Sequence, residues 1–343
     1  MAKKPAARSA PRPARSARSS KSGAGGKRFR RLRLALWVNL VLLVVGGGWY
    51  FVQPPARQAE VRLLVGNAFA SNKRVSLLDV AGDIYQLYYS PDFVSVPPVR
   101  GDRTHLFAGA PRVAGEGDAI PAGRFLRNTG YVVGYGEDFG SPLWVGYRVK
   151  DVDPLPAPAE RPERFEVDVR TVARVDPGAY TGSGYDRGHL APNYAIATRY
   201  GAKAQRETFL MSNIIPQRHA LNAGLWKQME LRAATSYPAR FGEVWVLAGP
   251  VFRRPPAARL AEGESGVGVA IPEACFMILA DESDGRVRTL AFMFPQETKE
   301  GARPEDFLTT IDEIEDRTGL EFFAELPVEI EDEIEAMRAT RVW

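Results

Sequence analysis

Residues 181–193 read TGSGYDRGHLAPN and residues 209–232 read FLMSNIIPQRHALNAGLWKQMELR. The first stretch is dense in glycine and polar residues and carries His189, one of three histidines in the chain with His105 and His219. Asp186-Arg187-Gly188-His189 alone has a plain structural reading, an Asp–Arg ion pair beside a glycine turn. The second stretch adds Asn213 and Gln217 within Ser-Asn-x-x-Pro-Gln, then Asn222, Trp226 and Glu230 at steps of four. Leu221, Leu225, Met229 and Arg232 recur at near-helical spacing, so a helix is expected over 218–237. From 222 to 230 such a helix makes about 2.2 turns, which returns Glu230 close to the face of Asn222.

Outward from these segments, residues from about Leu126 onward have the texture of a compact α+β domain. YVVGY (131–135), LWVGYRV (143–149), a short run at 165–169, GEVWVLAGPVF (242–252), GVGVAIP (266–272), CFMILAD (275–281) and TLAFMFP (289–295) read as strands. A last helix is expected over 304–317, with Phe307, Ile311 and Ile314 on one face. Strand runs with isolated helices indicate α+β rather than a doubly wound sheet.

Taken in order, the three motifs resemble the DNA/RNA non-specific endonuclease family. The likeness continues through VLAGPVF, AIPEACFMILAD, AFMFPQE and IDEIEDRTGLEFFAELP, and covers roughly residues 128–327. It implies a ββα-metal (His-Me finger) domain with a central antiparallel sheet, acting on DNA and RNA and leaving a 5′-phosphate. It implies His189 as general base and Asn222 as the direct ligand of one Mg²⁺, with Mn²⁺ the second candidate. Glu230 would hold metal-bound waters without touching the ion, and Asn213 would orient that cluster or His189. Arg187 would contact the scissile phosphate. An upstream arginine also contributes in the family; Arg164 is the candidate, and Arg161 fits nearly as well. Each has a plainer reading: a helix cap for Asn222, an exposed acid for Glu230, a turn amide for Asn213, an ion pair with Asp186 for Arg187. His219 reads as a surface or substrate-contacting residue.

Phosphodiester cleavage needs a base for water, positive charge against the phosphate and a stabilised leaving oxygen. Neutral imidazole suits the first task near pH 7. A single amide oxygen is a weak ligand, so water would complete an octahedral ion. The lone Cys275 excludes an intrachain disulfide and a multi-cysteine zinc site, and no HExxH spacing occurs. Two rivals remain: a catalytically weak nucleic-acid-binding or membrane-tethered module on the same scaffold, and a phosphodiesterase of small substrates. A homodimer is compatible with either.

Residues 1–33 hold twelve Lys/Arg and no acid, which leaves the rest of the chain at about −8. The basic pI therefore belongs to the tail and says nothing of the folded domain. This tail reads as disordered and cytoplasmic. Residues 34–52, LALWVNLVLLVVGGGWYFV, carry no formal charge and have Trp37, Trp49 and Tyr50 near their ends, as a single-pass anchor does. Residues 53–125 read as a linker or uncertain region without assigned function, whose apolar runs VSLLDV and IYQLYY fit strands or one helix, 126–330 as the nuclease domain and 331–343 as a C-terminal tail. The positive-inside rule places the catalytic domain across the membrane, in the periplasm of a bacterial inner membrane, with a mitochondrial inner membrane the alternative. Protease added to spheroplasts should cut beyond residue 55 while the basic flank stays protected; protection of the catalytic domain would overturn this topology.

Overall fold

A computed structural model describes residues 24–70, 75–99, 103–114, 122–253, 255–260 and 266–343. The chain divides into two units, 1–61 and 62–343. In the first, α1 (Ala24–Val52) contains an apolar stretch, Phe29–Val52, long enough to cross a membrane. It starts ten residues before the expected anchor, because Lys and Arg propagate a helix well and carry it into the basic flank. The rest of the tail, residues 1–23, lies outside the described residues. Helix α2 (Pro55–Phe69) follows, opening on a proline whose missing N–H is harmless at that position.

The second unit begins with α3 (Leu77–Tyr89), started by a capping box between Ser76 and Asp79. Then come β1 (Val94–Ser95), β2 (Arg112–Val113), β3 (Arg124–Arg127), β4 (Val132–Gly136) and β5 (Ser141–Lys150). A ribbon of β6 (Asp186–His189) and β7 (Ile214–Gln217) flanks α4 (Asn193–Glu207). Residues 221–241 are helical, with π-turns at Leu221–Trp226 and Arg232–Ser236 alternating with α5 (Lys227–Leu231) and α6 (Tyr237–Phe241). The chain closes with β8 (Glu243–Val251), β9 (Ala274–Ser283), β10 (Arg286–Pro295), β11 (Leu308–Thr309), α7 (Ile311–Thr318), β12 (Leu320–Glu321) and α8 (Val328–Glu335).

The main sheet is antiparallel throughout, in the order β1-β10-β9-β8-β5-β4-β3, with β11 on β10. Alternate residues of each strand enter two different cores. Tyr147, Val246, Met277 and Leu279 join the ribbon, α4 and the 221–241 helix on one face. Trp144, Trp245, Leu247, Phe276 and Ile278 join α7, α8 and the Leu106–Ala108 segment on the other. Burial on both faces explains why β9 reads as an unbroken apolar run rather than an alternating one.

Several expectations are corrected. Residues 266–272 form no strand beyond a single bridge from Ala270 to Arg259, because both edges of β9 are already taken by β8 and β10. At 165–169 there is one bridge, Glu166 to Leu210. The expected helix over 304–317 is interrupted: β11 pairs with β10, and Thr310 starts α7 by accepting from the Glu313 N–H. Helix α4, which the sequence pattern did not announce, packs Ala195, Ile196 and Ala204 into the core on the β5 side of the sheet. Residues 53–125 are not simply linker, since Phe107 and Ala108 are buried and α3 supplies Asp83 to the Arg240 guanidinium. Nor is 331–343 a tail. Ile334 is buried, and Trp343 packs edge-on against Tyr237 and Phe241.

Arg288 on β10 binds these terminal elements to the sheet. It donates to Asp281 at 2.8 Å and to Gln86 of α3 at 2.7 Å, and it stacks over Phe93, Phe241 and Trp343. Both ion-pair side chains are 3% exposed. Arg288→Met should therefore cost about 3–5 kcal/mol in denaturant unfolding, because Asp281 would stay buried without its cation. Asp281→Leu added to it should recover much of the loss. A single substitution costing under about 1 kcal/mol would contradict the role given to this pair.

Candidate active site

The β6–β7 ribbon pairs Asp186 with Gln217, Gly188 with Ile215 and His189 with Ile214. Gly188 is required by packing. A Cβ there would lie 2.0 Å from Oε1 of the fully buried Gln217. This glycine lets the ribbon close, so it is more than a turn residue.

Phe165 and Phe209 flank the His189 ring at centroid distances of 5.5 and 5.1 Å. The residue as a whole is half-buried, but Nε2 is enclosed without a hydrogen-bond partner. Nδ1 is therefore the nitrogen reachable from the cleft. Desolvation, with a smaller contribution from the Arg161 charge, pushes the imidazole down to about 3. The ring is held neutral.

Trp226, wholly buried, shares its indole N–H between the His189 backbone oxygen and Glu230 Oε1, each at 3.1 Å. One donor thus ties the strand bearing His189 to the helix bearing Glu230. Burial raises the Glu230 carboxyl to about 8, opposed by the Trp226 hydrogen bond and the Lys227 and Arg161 charges. The helix is not the regular one expected. The π-turn over Leu221–Trp226, with Gly224 off helical geometry, widens the spiral, and the steps of four from Asn222 remain on one side.

Asp186 does not pair with Arg187. Its Oδ2 accepts from Asn222 Nδ2 at 2.9 Å and lies 2.8 Å from His219 Nδ1. With its amide nitrogen engaged, Asn222 has its carbonyl oxygen available in the cleft. Arg187 is anchored instead by Nε and Nη2 to the Pro177 oxygen, at 3.1 and 2.6 Å, and rests on Phe165 and Tyr180.

His189, Asn222, Glu230 and Arg187 line one cleft of about 440 Å³, joined by Arg161, Asn193 and Lys227. Two expected members are elsewhere. Arg164 is exposed and outside the cleft; Arg161 is the upstream arginine that reaches it, lying over Phe209. Asn213 sits behind His189 rather than in the cleft. Its fully buried amide accepts from Ala191 N and donates to the Ala191 and Thr208 oxygens, at 2.8–3.0 Å. That leaves no polar atom for a metal–water cluster and makes Asn213 a clamp on the chain after the histidine. Trp226 was legible only as a spacing mark, and the hub role of Asp186 had no sequence signal.

A divalent ion fits the donors present. Asn222 offers one free oxygen and Glu230 a carboxylate in the same cleft. Among the described residues no trio of His, Cys, Asp or Glu ligand atoms converges there, so water would supply most of the shell.

Residues 111–329 match the family model described as DNA/RNA non-specific endonuclease. The chain is similar to the mitochondrial nuclease EXOG of Danio rerio, 26% identical over 78% of this chain and 76% of that protein. It is also similar to the mitochondrial endonuclease G of Homo sapiens, 32% identical over 56% and 67%. The nuclease of Serratia marcescens is 30% identical over 55% and 70%. A crystal structure of an EndoG/EndoGI complex shares the fold, with a TM-score of 0.52 at 22% identity over 60% of this chain and 88% of that one.

Because desolvation dominates at His189, its ring nitrogens should keep neutral-imidazole NMR shifts in the metal-free protein from pH 8 down to pH 5. A midpoint near the ordinary histidine value of about 6.5 would mean that water reaches both nitrogens.

Proposed function

The chain belongs to the DNA/RNA non-specific endonuclease family, and from that premise we propose that it hydrolyses phosphodiester bonds of both DNA and RNA with little sequence preference. The observation carrying this reading is the convergence of His189, Asn222 and Glu230 in a single cleft with Arg161, Arg187 and Lys227. His189 Nδ1 takes the proton of the attacking water. The imidazole is suited to this because it is neutral beforehand, and the approaching phosphate stabilises the imidazolium that forms. Arg187 has Nη1 outside its anchoring bonds and meets a non-bridging phosphate oxygen, while Arg161 and Lys227 add charge along the backbone. The P–O3′ bond breaks, leaving a 5′-phosphate, and the 3′ oxygen takes a proton from solvent.

Asn222 Oδ1 would hold one divalent cation, Mg²⁺ first and Mn²⁺ second, and the Glu230 carboxylate would face the water around it. When bound, that ion supplies charge neutralisation at the phosphate and the leaving oxygen. Asp186 fixes the Asn222 amide, and Asn213 positions His189 through Ala191.

A polymeric substrate is favoured over a small diester by the cleft's surroundings. Tyr194 and Leu231 are shared with a neighbouring groove of about 690 Å³, which Arg199 and Arg232 enter together with Asp151 and Asp153. Anchoring by α1 would keep such an enzyme on the far side of a bacterial inner membrane from the chromosome, or across the mitochondrial inner membrane in a eukaryote.

Plasmid nicking by the full chain tests the reading. Activity should require Mg²⁺ and cease in EDTA. His189→Ala should cost at least ~10²-fold with the fold intact. Asn222→Ala should greatly raise the metal requirement, and Glu230→Ala should weaken metal affinity by ~10–100-fold. Near wild-type nicking by folded His189→Ala, or a chromogenic diester cleaved in preference to plasmid, would sink it.

A further inference from the structure

Away from the cleft, α7, β12 and α8 bring five carboxylates together. Oxygens of Glu321, Glu331 and Glu335 lie within 4.8 Å of one another, and so do oxygens of Asp312, Glu315 and Glu335. Glu335 belongs to both trios. Glu331 is 8% exposed and Glu335 3%, and Oε1 of each is enclosed without a hydrogen-bond partner. Glu315 accepts from the Phe322 N–H at 2.7 Å and is close enough to Glu335 to share a proton. Among the described residues, the cation whose charge reaches Glu331 is Arg112 on β2, opposite Glu321 in the register.

This arrangement is costly for a folded protein without a counter-ion. Burying ionised carboxylates demands a compensating charge. Glu331 and Glu335 are like charges one helical turn apart, and Glu335 closes α8, where the helix dipole already disfavours an anion. Burial, with repulsion from the neighbouring carboxylates, accordingly holds the Glu331, Glu315 and Glu335 carboxyls above the ordinary carboxylate range. The group must hold either protons or a metal ion.

We propose that Glu321, Glu331 and Glu335, with Glu315 beside them, form a structural divalent-cation site, distinct from the cleft, that binds Ca²⁺ in preference to Mg²⁺ and fastens α8 to β12. All the donors are hard carboxylate oxygens, which suit Ca²⁺ and Mg²⁺ and not thiolate-seeking metals. The oxygens come from a strand and from successive turns of a helix, an irregular set. Ca²⁺ accepts irregular shells of 6–8 oxygens, including bidentate carboxylates, whereas Mg²⁺ demands a near-ideal octahedron. The proposal does not depend on nuclease activity.

The test uses the full chain in detergent, stripped by chelator, with Ca²⁺ alone titrated calorimetrically and thermal melts run with and without it. Asn222→Ala removes the cleft ligand and should retain one Ca²⁺. At a hundredfold excess over Kd, Ca²⁺ should raise its melting midpoint by roughly 5–10 °C. Glu331→Gln/Glu335→Gln should weaken that binding at least ~10-fold and abolish the melting shift. The half-buried Glu321→Gln should weaken it too, and serves if the double variant does not fold. A cluster that merely shares protons would give no Ca²⁺ uptake in Asn222→Ala and no Ca²⁺-dependent melting, which would overturn the proposal. Equal Ca²⁺ affinity in Asn222→Ala with and without either set of Gln changes added, in folded protein, would also overturn it.

Discussion

The indole N–H of Trp226 faces two acceptors at 3.1 Å, the His189 carbonyl and a Glu230 carboxylate oxygen. Strand β6 and the helix after β7 meet through this donor, and the relative position of His189, Asn222 and Glu230 follows from it. The indole is wholly buried, so neither acceptor can exchange it for water without a penalty of about 1–3 kcal/mol. Asn213 performs the matching task two residues after the histidine, holding the Ala191 N–H and carbonyl. Together the two side chains fix the backbone from His189 to Ala191.

Asp186 organises the remaining polar groups. It takes the Asn222 amide hydrogen and lies against His219, which leaves Arg187 free of an ion pair with its neighbour. Arg187 instead rests on aromatic faces and on the Pro177 carbonyl, contacts that orient a guanidinium without neutralising it. The cleft thus keeps net positive charge near a neutral imidazole and an electrically costly Glu230. That is the balance expected where an anion and a cation are both to be received. The acidic cluster around α8 has the opposite character, with five carboxylates crowded together and the charge of Arg112 reaching Glu331.

The folded unit extends beyond the stretch that matches the family. Helix α3 precedes residue 111 and Trp343 follows residue 329, yet both converge on Arg288 at β10. Sequence on both sides of the match therefore completes one core. Among the described residues, the terminal aromatic helps cover a buried ion pair that would otherwise face water.

The family, the α+β class and five of the strands were legible in the sequence, and its motifs singled out His189, Asn222 and Glu230, which the fold brings to one cleft. These rest on local order: motif spacing, apolar runs and an uncharged N-terminal segment survive any uncertainty about how distant parts meet. It could not decide between Arg161 and Arg164, which differ by three positions in a proline-rich loop with no periodicity to orient it. It could not tell that Asn213 faces backward, because a buried amide and a catalytic one look alike in one dimension. Nor did it show that residues 266–272 find no free sheet edge, or that 331–343 pack. The tertiary structure settled these points because each depends on which partners are already occupied: the edges of β9 by its neighbours, the amide of Asn213 by Ala191, the carboxylate of Asp186 by Asn222. Occupancy belongs to the assembled fold, and no single segment encodes it.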